Sequence, residues 1–365
     1  MPAADPAADP VPQSWWRREA GELGRSLTRF GPAPGPRWHL GLQAATAMAV
    51  PVVALSAIGY ESIGLLAATG AFATLYGGRF TPRERIVVVP IVAALLGACA
   101  AAGVLAAVLG PVVVAAGLVV VAVAASALVF GLSVGPPGPL FPVLIYGLSA
   151  HVTAPTASHR GLDPGLYLAV LAASLAFAWV VTAIPALRSK HRRTPPRPLS
   201  ALFPRAHRET EARTLVVRAA AVAIVGTAAS LVVDPERAYW IVGAGIAVLG
   251  VSTSRRVALS RGIHRALGTA VGAGVYLAIA FVPLPGIVLG VVLGALQFVV
   301  ELVVVRHYAL ALLFITPLVL LILGAAGGSG PELAIERVVD TAVGAALGTL
   351  SSLIVVRGRT PRAAA

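Results

Sequence analysis

The sequence predicts an all-α polytopic membrane protein of about 12 transmembrane helices, built as two parallel six-helix repeats. Three observations point there. Only 12% of the chain is charged and 58% is hydrophobic, with a mean hydropathy of +0.87, whereas a soluble domain carries about 25% charged residues. The apolar residues come in runs divided by turn residues, not in the alternating segments of about 10 residues that a membrane β-barrel needs. Finally, residues 39–187 and 215–356 each hold six such runs.

Residues 1–38 read as a basic cytoplasmic tail broken by prolines, with Trp15 and Trp16 placed to rest at an interface. The tail lacks the apolar core of a secretory signal. A membrane helix needs about 20 apolar residues. The first half offers Leu40–Ile58, Ile63–Leu75, Ile86–Leu109, Pro111–Leu132, Leu140–His151 and Leu166–Leu187. Gly110-Pro111 and the run Gly135-Pro-Pro-Gly-Pro139 set two of the cuts, because such clusters break helices. The second half offers Leu215–Val233, Tyr239–Val251, Ala266–Val282, Gly286–Val304, Tyr308–Ala325 and Ile335–Val356. The second, fifth and eighth runs are short for a span. Residues 188–214 form a basic, proline-rich linker, and 357–365 a short cytoplasmic tail.

The net charge of +13 would suggest nucleic acid in a soluble protein. In a membrane protein the plainer reading is the excess of Lys and Arg on the cytoplasmic side, and no nucleic-acid partner is expected. With both termini inside, 25 of the 28 basic residues fall on the cytoplasmic side, and Arg160, Arg237 and Arg337 do not. This places the chain in a bacterial inner membrane. Six runs per half is an even number, so the halves share one orientation, as in a repeat about an axis along the membrane normal.

The single cysteine, Cys99, excludes an internal disulfide. The histidines show no metal spacing, no glycine-rich stretch ends in the Lys-Ser/Thr of a phosphate loop, and no nucleophile has a supporting triad. No cofactor, metal or enzyme activity is expected. Pairs of glycines four apart, Gly268 with Gly272, Gly290 with Gly294 and Gly344 with Gly348, read as close helix packing.

Two sets of charged residues carry the functional reading. Arg79, Arg83, Arg85, Arg255, Arg256, Arg261 and Arg265 sit between apolar runs. Lining a cytoplasmic vestibule, they would concentrate anions; the alternative for any one of them is topology marking and contact with anionic headgroups. Arg265 is expected at the membrane boundary of the ninth helix, with Arg85 in the matching place of the first half. Asp340 lies within the twelfth run, and Glu336 shares its face. An ionisable group at membrane depth marks function, here proton coupling; an Arg337–Asp340 pair or a helix-dipole contact is the alternative. Glu301, four residues after Gln297, is a third coupling candidate, or a partner for Arg306.

Residues 239–352 also carry a family pattern. It consists of Tyr239-Trp240, Ser254-Arg255-Arg256 through Arg261-Gly-Ile-His-Arg265-Ala-Leu-Gly268-Thr269, His307 through Thr316-Pro317, and Glu336-Arg337-Val-Val-Asp340-Thr341-Ala-Val-Gly344. The stretch resembles the fusaric-acid-resistance (FUSC) family, related to aromatic-acid exporters and to plant aluminium-activated malate transporters. The first half shows only a degraded version. The longer exporters carry a sizeable soluble domain where this chain has its short linker. The resemblance implies export or conduction of organic anions, often aromatic carboxylates. Secondary, proton-coupled export of a small organic anion is therefore expected, against two rivals: a passive anion channel, and a non-transporting membrane module that binds partners. Homo-oligomerisation is left open.

Overall fold

The chain is described by a computed structural model over residues 21, 24–32, 35–155, 161–187, 195–204, 209–233, 235–324 and 330–356. Arg160, the first 20 residues with Trp15 and Trp16, linker residues 188–194 and 205–208, and the C-terminal tail lie outside the described residues. The first half contains α1 (Trp38–Ala57), α2 (Glu61–Ala67, drawn out as a 3-10 helix over Ala68–Leu75), α3 (Pro82–Leu109), α4 (Pro111–Gly131), α5 (Leu140–Thr153) and α6 (Pro164–Ala183). The second contains α7 (Thr210–Val233), α8 (Ala238–Leu249), α9 (Arg255–Ala280), α10 (Gly286–Val303), α11 (Tyr308–Gly324) and α12 (Pro331–Ser351). No strand occurs among the described residues.

Seven of these helices are long and apolar enough to cross a membrane: α1, α3, α4, α6, α7, α9 and α10. Length and composition therefore mark seven spans, not 12. The short ones explain the difference. At 1.5 Å per residue, the 12 residues of α8 rise only about 18 Å, against a hydrocarbon core of about 30 Å. Helix α12 is long enough but carries Glu332, Glu336, Arg337 and Asp340.

The surface identifies the solvent. Val112 is 79% exposed and Val232 is 90% exposed, while Arg85, Arg218, Arg265, Arg337 and Asp340 are buried. A water-soluble protein is built the other way round; an aliphatic skin over a polar interior suits lipid. The chain is a multi-pass membrane protein.

Two helix starts lie earlier than hydropathy suggests, and both move arginines. Thr81 accepts from the Glu84 amide while the Glu84 carboxylate accepts from the Thr81 amide, a reciprocal cap that opens α3 at Pro82. Arg83 and Arg85 therefore belong to its first turns. Ser254 caps the Val257 amide, so α9 opens at Arg255. The four arginines expected in a loop are helical, and Arg265 lies about 15 Å along α9 instead of at its edge.

In the first half α2 packs on α1 and its 3-10 extension on α6, while α3 packs on α5 and α6. In the second, α8 lies against α7 and α12, and α9 against α11 and α12. Between them α1 meets α10, α4 meets α7, and α5 meets α8. One continuous apolar core runs through both halves, from Met48 and Val52 to Trp240 and Leu320. Small residues set the closest approaches. A Cβ on Gly268 would stand 2.6 Å from the Ala309 carbonyl, and one on Gly272 2.8 Å from Thr316 Cβ, both on α11. On Gly290 and Gly294 it would stand 2.8 Å from Val53 and Ala49 of α1. A Cβ on Gly348 would stand 2.5 Å from the Gly245 carbonyl of α8. All three glycine pairs thus carry helix contacts, as their spacing suggested.

Candidate functional site

The buried arginines do two different jobs. Helices α2 and α8 both stop short, and their last carbonyls lack partners within the helix. Arg85 donates through Nη2 to the Thr74 carbonyl at 2.8 Å. Arg261 donates through Nε and Nη2 to the Ala247 carbonyl at 3.2 and 2.8 Å. Each carbonyl lies three residues before a glycine at positive φ, Gly77 (+77°) and Gly250 (+57°), where the chain turns out of the short helix. A cation at a helix C-terminus also complements the dipole. The residue that matches Arg85 in role is therefore Arg261, not Arg265. Arg218 is a third brace: its guanidinium donates to the carbonyls of Ile354, Thr253 and Ser352 at 3.0, 3.0 and 2.8 Å.

Arg85 also donates to Gln43 Oε1 at 2.6 Å, and its charged neighbours are Glu301 and Arg37. Glu301 is not paired with Arg306. Its Oε2 accepts from Arg37 Nη2 at 2.8 Å, while its main-chain carbonyl accepts from Arg37 Nε at 3.1 Å. This group ties the entry to α1 onto α10, beside the contact between halves. Arg79 is exposed and donates to the Ser133 carbonyl. Arg255 and Arg256 are exposed at the start of α9. Glu84 accepts from Arg197 of the linker at 2.7 Å, which raises the Arg197 guanidinium above its ordinary pKa.

Arg265 and Arg337 are placed differently. Both are 4% exposed. Arg265 donates through Nη1 to the Tyr308 hydroxyl at 2.8 Å, while its Nε has no partner among the described residues. Arg337 stands with its guanidinium carbon 4.8 Å from the Trp240 ring centre, and its Nε and Nη1 have no hydrogen-bond partner among the described residues. The electrostatic neighbours of Arg337 are Arg265, Asp340, Tyr239 and Tyr308. Asp340 is fully buried, whereas Glu336 on the same helix is partly exposed and accepts from Arg237. Arg337 lies about 9 Å and Asp340 about 14 Å along α12 from its start. Since α12 runs antiparallel to α9, this cluster sits near the middle of the bundle's thickness. In the sequence Arg337 reads as an exception to the charge rule or a partner for Asp340, and Trp240 and Tyr308 stand only as parts of the family pattern, with no role at a site.

Tyr308 joins the cluster to a basic pocket of about 560 Å³ at the end of the bundle where α9 starts. Arg25, Arg29, Arg261, Arg306, His264 and His307 contribute to its wall, which contains no carboxylate among the described residues. Residues 24–32 lie across it. Ser26 Oγ is 3.0 Å from His264 Nε2, and Gly31 exchanges hydrogen bonds with Arg306, its amide donating at 2.8 Å. His307 Nε2 donates to the Leu27 carbonyl at 2.9 Å and its Nδ1 accepts from the Leu310 amide at 3.0 Å, which assigns the neutral Nε2–H tautomer. The Arg261 guanidinium lies 4.6 Å over the Tyr308 ring. A second cavity, about 580 Å³ between α3, α4 and residues 199–203, is walled mainly by apolar side chains such as Ile91, Leu95, Leu128 and Leu132, with Tyr76 and Ser200 its polar residues and no charged group among the described residues of its lining.

No solved structure matches the chain. A Bacillus subtilis (strain 168) protein described as "Uncharacterized membrane protein YvaC" is 36% identical over 123 residues, covering 33% of this chain and 19% of that protein's length. Residues 220–351 match the family model for fusaric acid resistance protein-like sequences. The matched stretch runs from within α7 to the end of α12. It takes in Arg261, Arg265, Arg337 and Asp340 and leaves out Arg85.

Proposed function

We propose that this protein is a secondary transporter that exports small organic anions, aromatic carboxylates among them, across the bacterial inner membrane. In this reading both termini are cytoplasmic, the 12 helices form two parallel six-helix repeats, and transport is coupled to protons through Asp340. Matching sets of helix contacts in the two halves support the repeat: α3 on α5 and α6 against α9 on α11 and α12, with α1 on α10 mirrored by α7 on α4.

One observation carries the transport reading. Two buried guanidinium groups, Arg265 and Arg337, lie deep in a lipid-facing bundle behind a carboxylate-free basic mouth. The mouth collects anions, and the deep pair gives them somewhere to go. Charge at this depth costs several kcal/mol; stability alone does not ask for it. The pathway then runs through the second half, from the basic pocket past Tyr308, and not between the halves. Arg85 and Glu301 belong to the scaffold. Of the three coupling candidates, Asp340 is the fully buried one, and it is an electrostatic neighbour of the deep Arg337.

The test is flux in vesicles reconstituted with purified protein, screened against labelled aromatic and aliphatic carboxylates. Saturable, protein-dependent flux of at least one carboxylate is expected. Flux no faster than in protein-free vesicles across the panel overturns the reading. Electrical recording separates the carrier from a passive channel: small currents beside saturable flux mark the carrier, large uncoupled currents the channel.

A further inference from the structure

We infer that Arg265, Arg337 and Asp340 form a binding site for a single monovalent oxyanion, in which the Asp340 carboxylate holds part of the place the ligand takes. The inference rests on the transport reading above for its setting, but not for its evidence.

The first support is the charge count. Two guanidinium groups face one carboxylate, so the buried group carries one uncompensated positive charge. The other acids of the inner bundle are engaged elsewhere: Glu301 with Arg37, Glu336 with Arg237 and Glu84 with Arg197. An unbalanced charge away from water is costly, and the usual remedy is a counter-ion.

The second support is the state of the donors. Arg265 Nε, Arg337 Nε and Arg337 Nη1 are buried with no hydrogen-bond partner among the described residues. Arg261 and Arg218, by contrast, direct their donors to main-chain carbonyls, and Arg85, whose Nε is also open, has its two other nitrogens on the Thr74 carbonyl and Gln43. Buried donors are normally satisfied. The open Nε and Nη1 of Arg337 lie on different edges of its guanidinium, so each offers an anion a separate charged hydrogen bond. Tyr308 and Trp240 hold the two guanidinium groups in place: Arg265 through its hydroxyl hydrogen bond and Arg337 through the ring face.

Asp340 then has a definite role. Its carboxylate neutralises one of the two positive charges when no ligand is present, and it competes with an incoming anion for the same donors. Removing its charge should tighten anion binding. A carboxylate with a purely structural role would give the opposite result, a weakened fold and no gain in affinity.

Detergent-purified protein is titrated with benzoate and acetate by calorimetry, with benzamide and acetamide as uncharged controls. Wild type is expected to bind at least one of the acids and neither amide. Arg337→Gln should weaken that binding by about tenfold or more, the worth of one charged hydrogen bond. Asp340→Asn should tighten it by a similar factor, and Arg85→Gln should leave it unchanged among molecules that elute as folded protein. If Asp340→Asn fails to fold, the Arg337→Gln and Arg85→Gln pair still decides. Equal binding in Arg337→Gln and wild type, weaker binding in Asp340→Asn, or no preference for acids over amides overturns the site. Charge-selective binding that follows these variants, with no flux in vesicles, would keep the site and remove the transporter. Flux that ignores them would do the reverse.

Discussion

The two halves use the same brace and bury different chemistry. Arg85 and Arg261 each hold a carbonyl at the end of a helix that stops short, next to a left-handed glycine. The deeper positions diverge. When Gly103 of α3 is laid on Gly272 of α9, each meeting the fifth helix of its half, Leu96 falls on Arg265. When the buried positions of α6 are laid on those of α12, Leu171 falls on Arg337 and Ser174 on Asp340. The same packing therefore encloses an aliphatic core in one half and an ionised one in the other. The first half serves as the scaffold and the second holds the site.

Breaking the shared packing should have the largest effect. Gly103→Leu drives a side chain into the Tyr146 carbonyl of α5, and Gly344→Leu drives one into the Ile241 carbonyl of α8. Neither backbone can yield without parting two helices, so each should abolish most of the monodisperse protein seen by size exclusion. Tolerance of Gly103→Leu alone would mean the halves are not packed to one standard. Next come the braces. Arg85→Ala and Arg261→Ala each strip a helix-end carbonyl of its charged donor and should cost about 1.5–3 kcal/mol, seen as comparable drops in melting temperature. Only Arg261→Ala should also lower carboxylate flux per folded molecule, because Arg261 lines the basic pocket as well. Smaller is the effect expected for Arg197→Ala: Arg197 is exposed, and its buried partner Glu84 keeps the Thr81 cap when the cation is lost. Its melting temperature should fall by less than that of either brace variant. Removing residues 1–20, which leaves Arg25 and Arg29 of the basic pocket in place, should leave flux largely intact, whereas a module that works by binding partners through its tail would lose its function.

Much of the fold was legible in the sequence. Among the described residues a helix answers each of the twelve apolar runs in order, divided at Gly110-Pro111 and around Gly135–Pro139; α2, α5 and α8 are short as their runs suggest, and α11, at 17 residues, is short as well. Hydropathy reads these features because lipid demands them. The starts of α3 and α9 were not legible in the same way, since the caps at Thr81 and Ser254 extend helix into charged sequence that hydropathy assigns to loops. The roles of individual arginines were hidden for a related reason. The partners of Arg85, Arg261 and Arg218 are main-chain carbonyls, which every residue has and no side-chain pattern reports. Arg337 counted as an exception to the positive-inside rule. That exception was the available signal: an arginine out of place for topology, three residues before a buried acid, needs another reason to be there.

The central claim is that the ionised interior of the second half, and not the shared scaffold, carries the anion. Its most direct test compares Arg265→Ala with Leu96→Ala, a buried aliphatic residue of the first half. Both are purified, matched for folded protein and assayed for carboxylate flux in the same vesicles. Flux should fall about tenfold or more in Arg265→Ala, which loses a charged contact to the ligand, and stay near wild type in Leu96→Ala. Equal losses in the two, or undiminished flux in Arg265→Ala, would contradict the account.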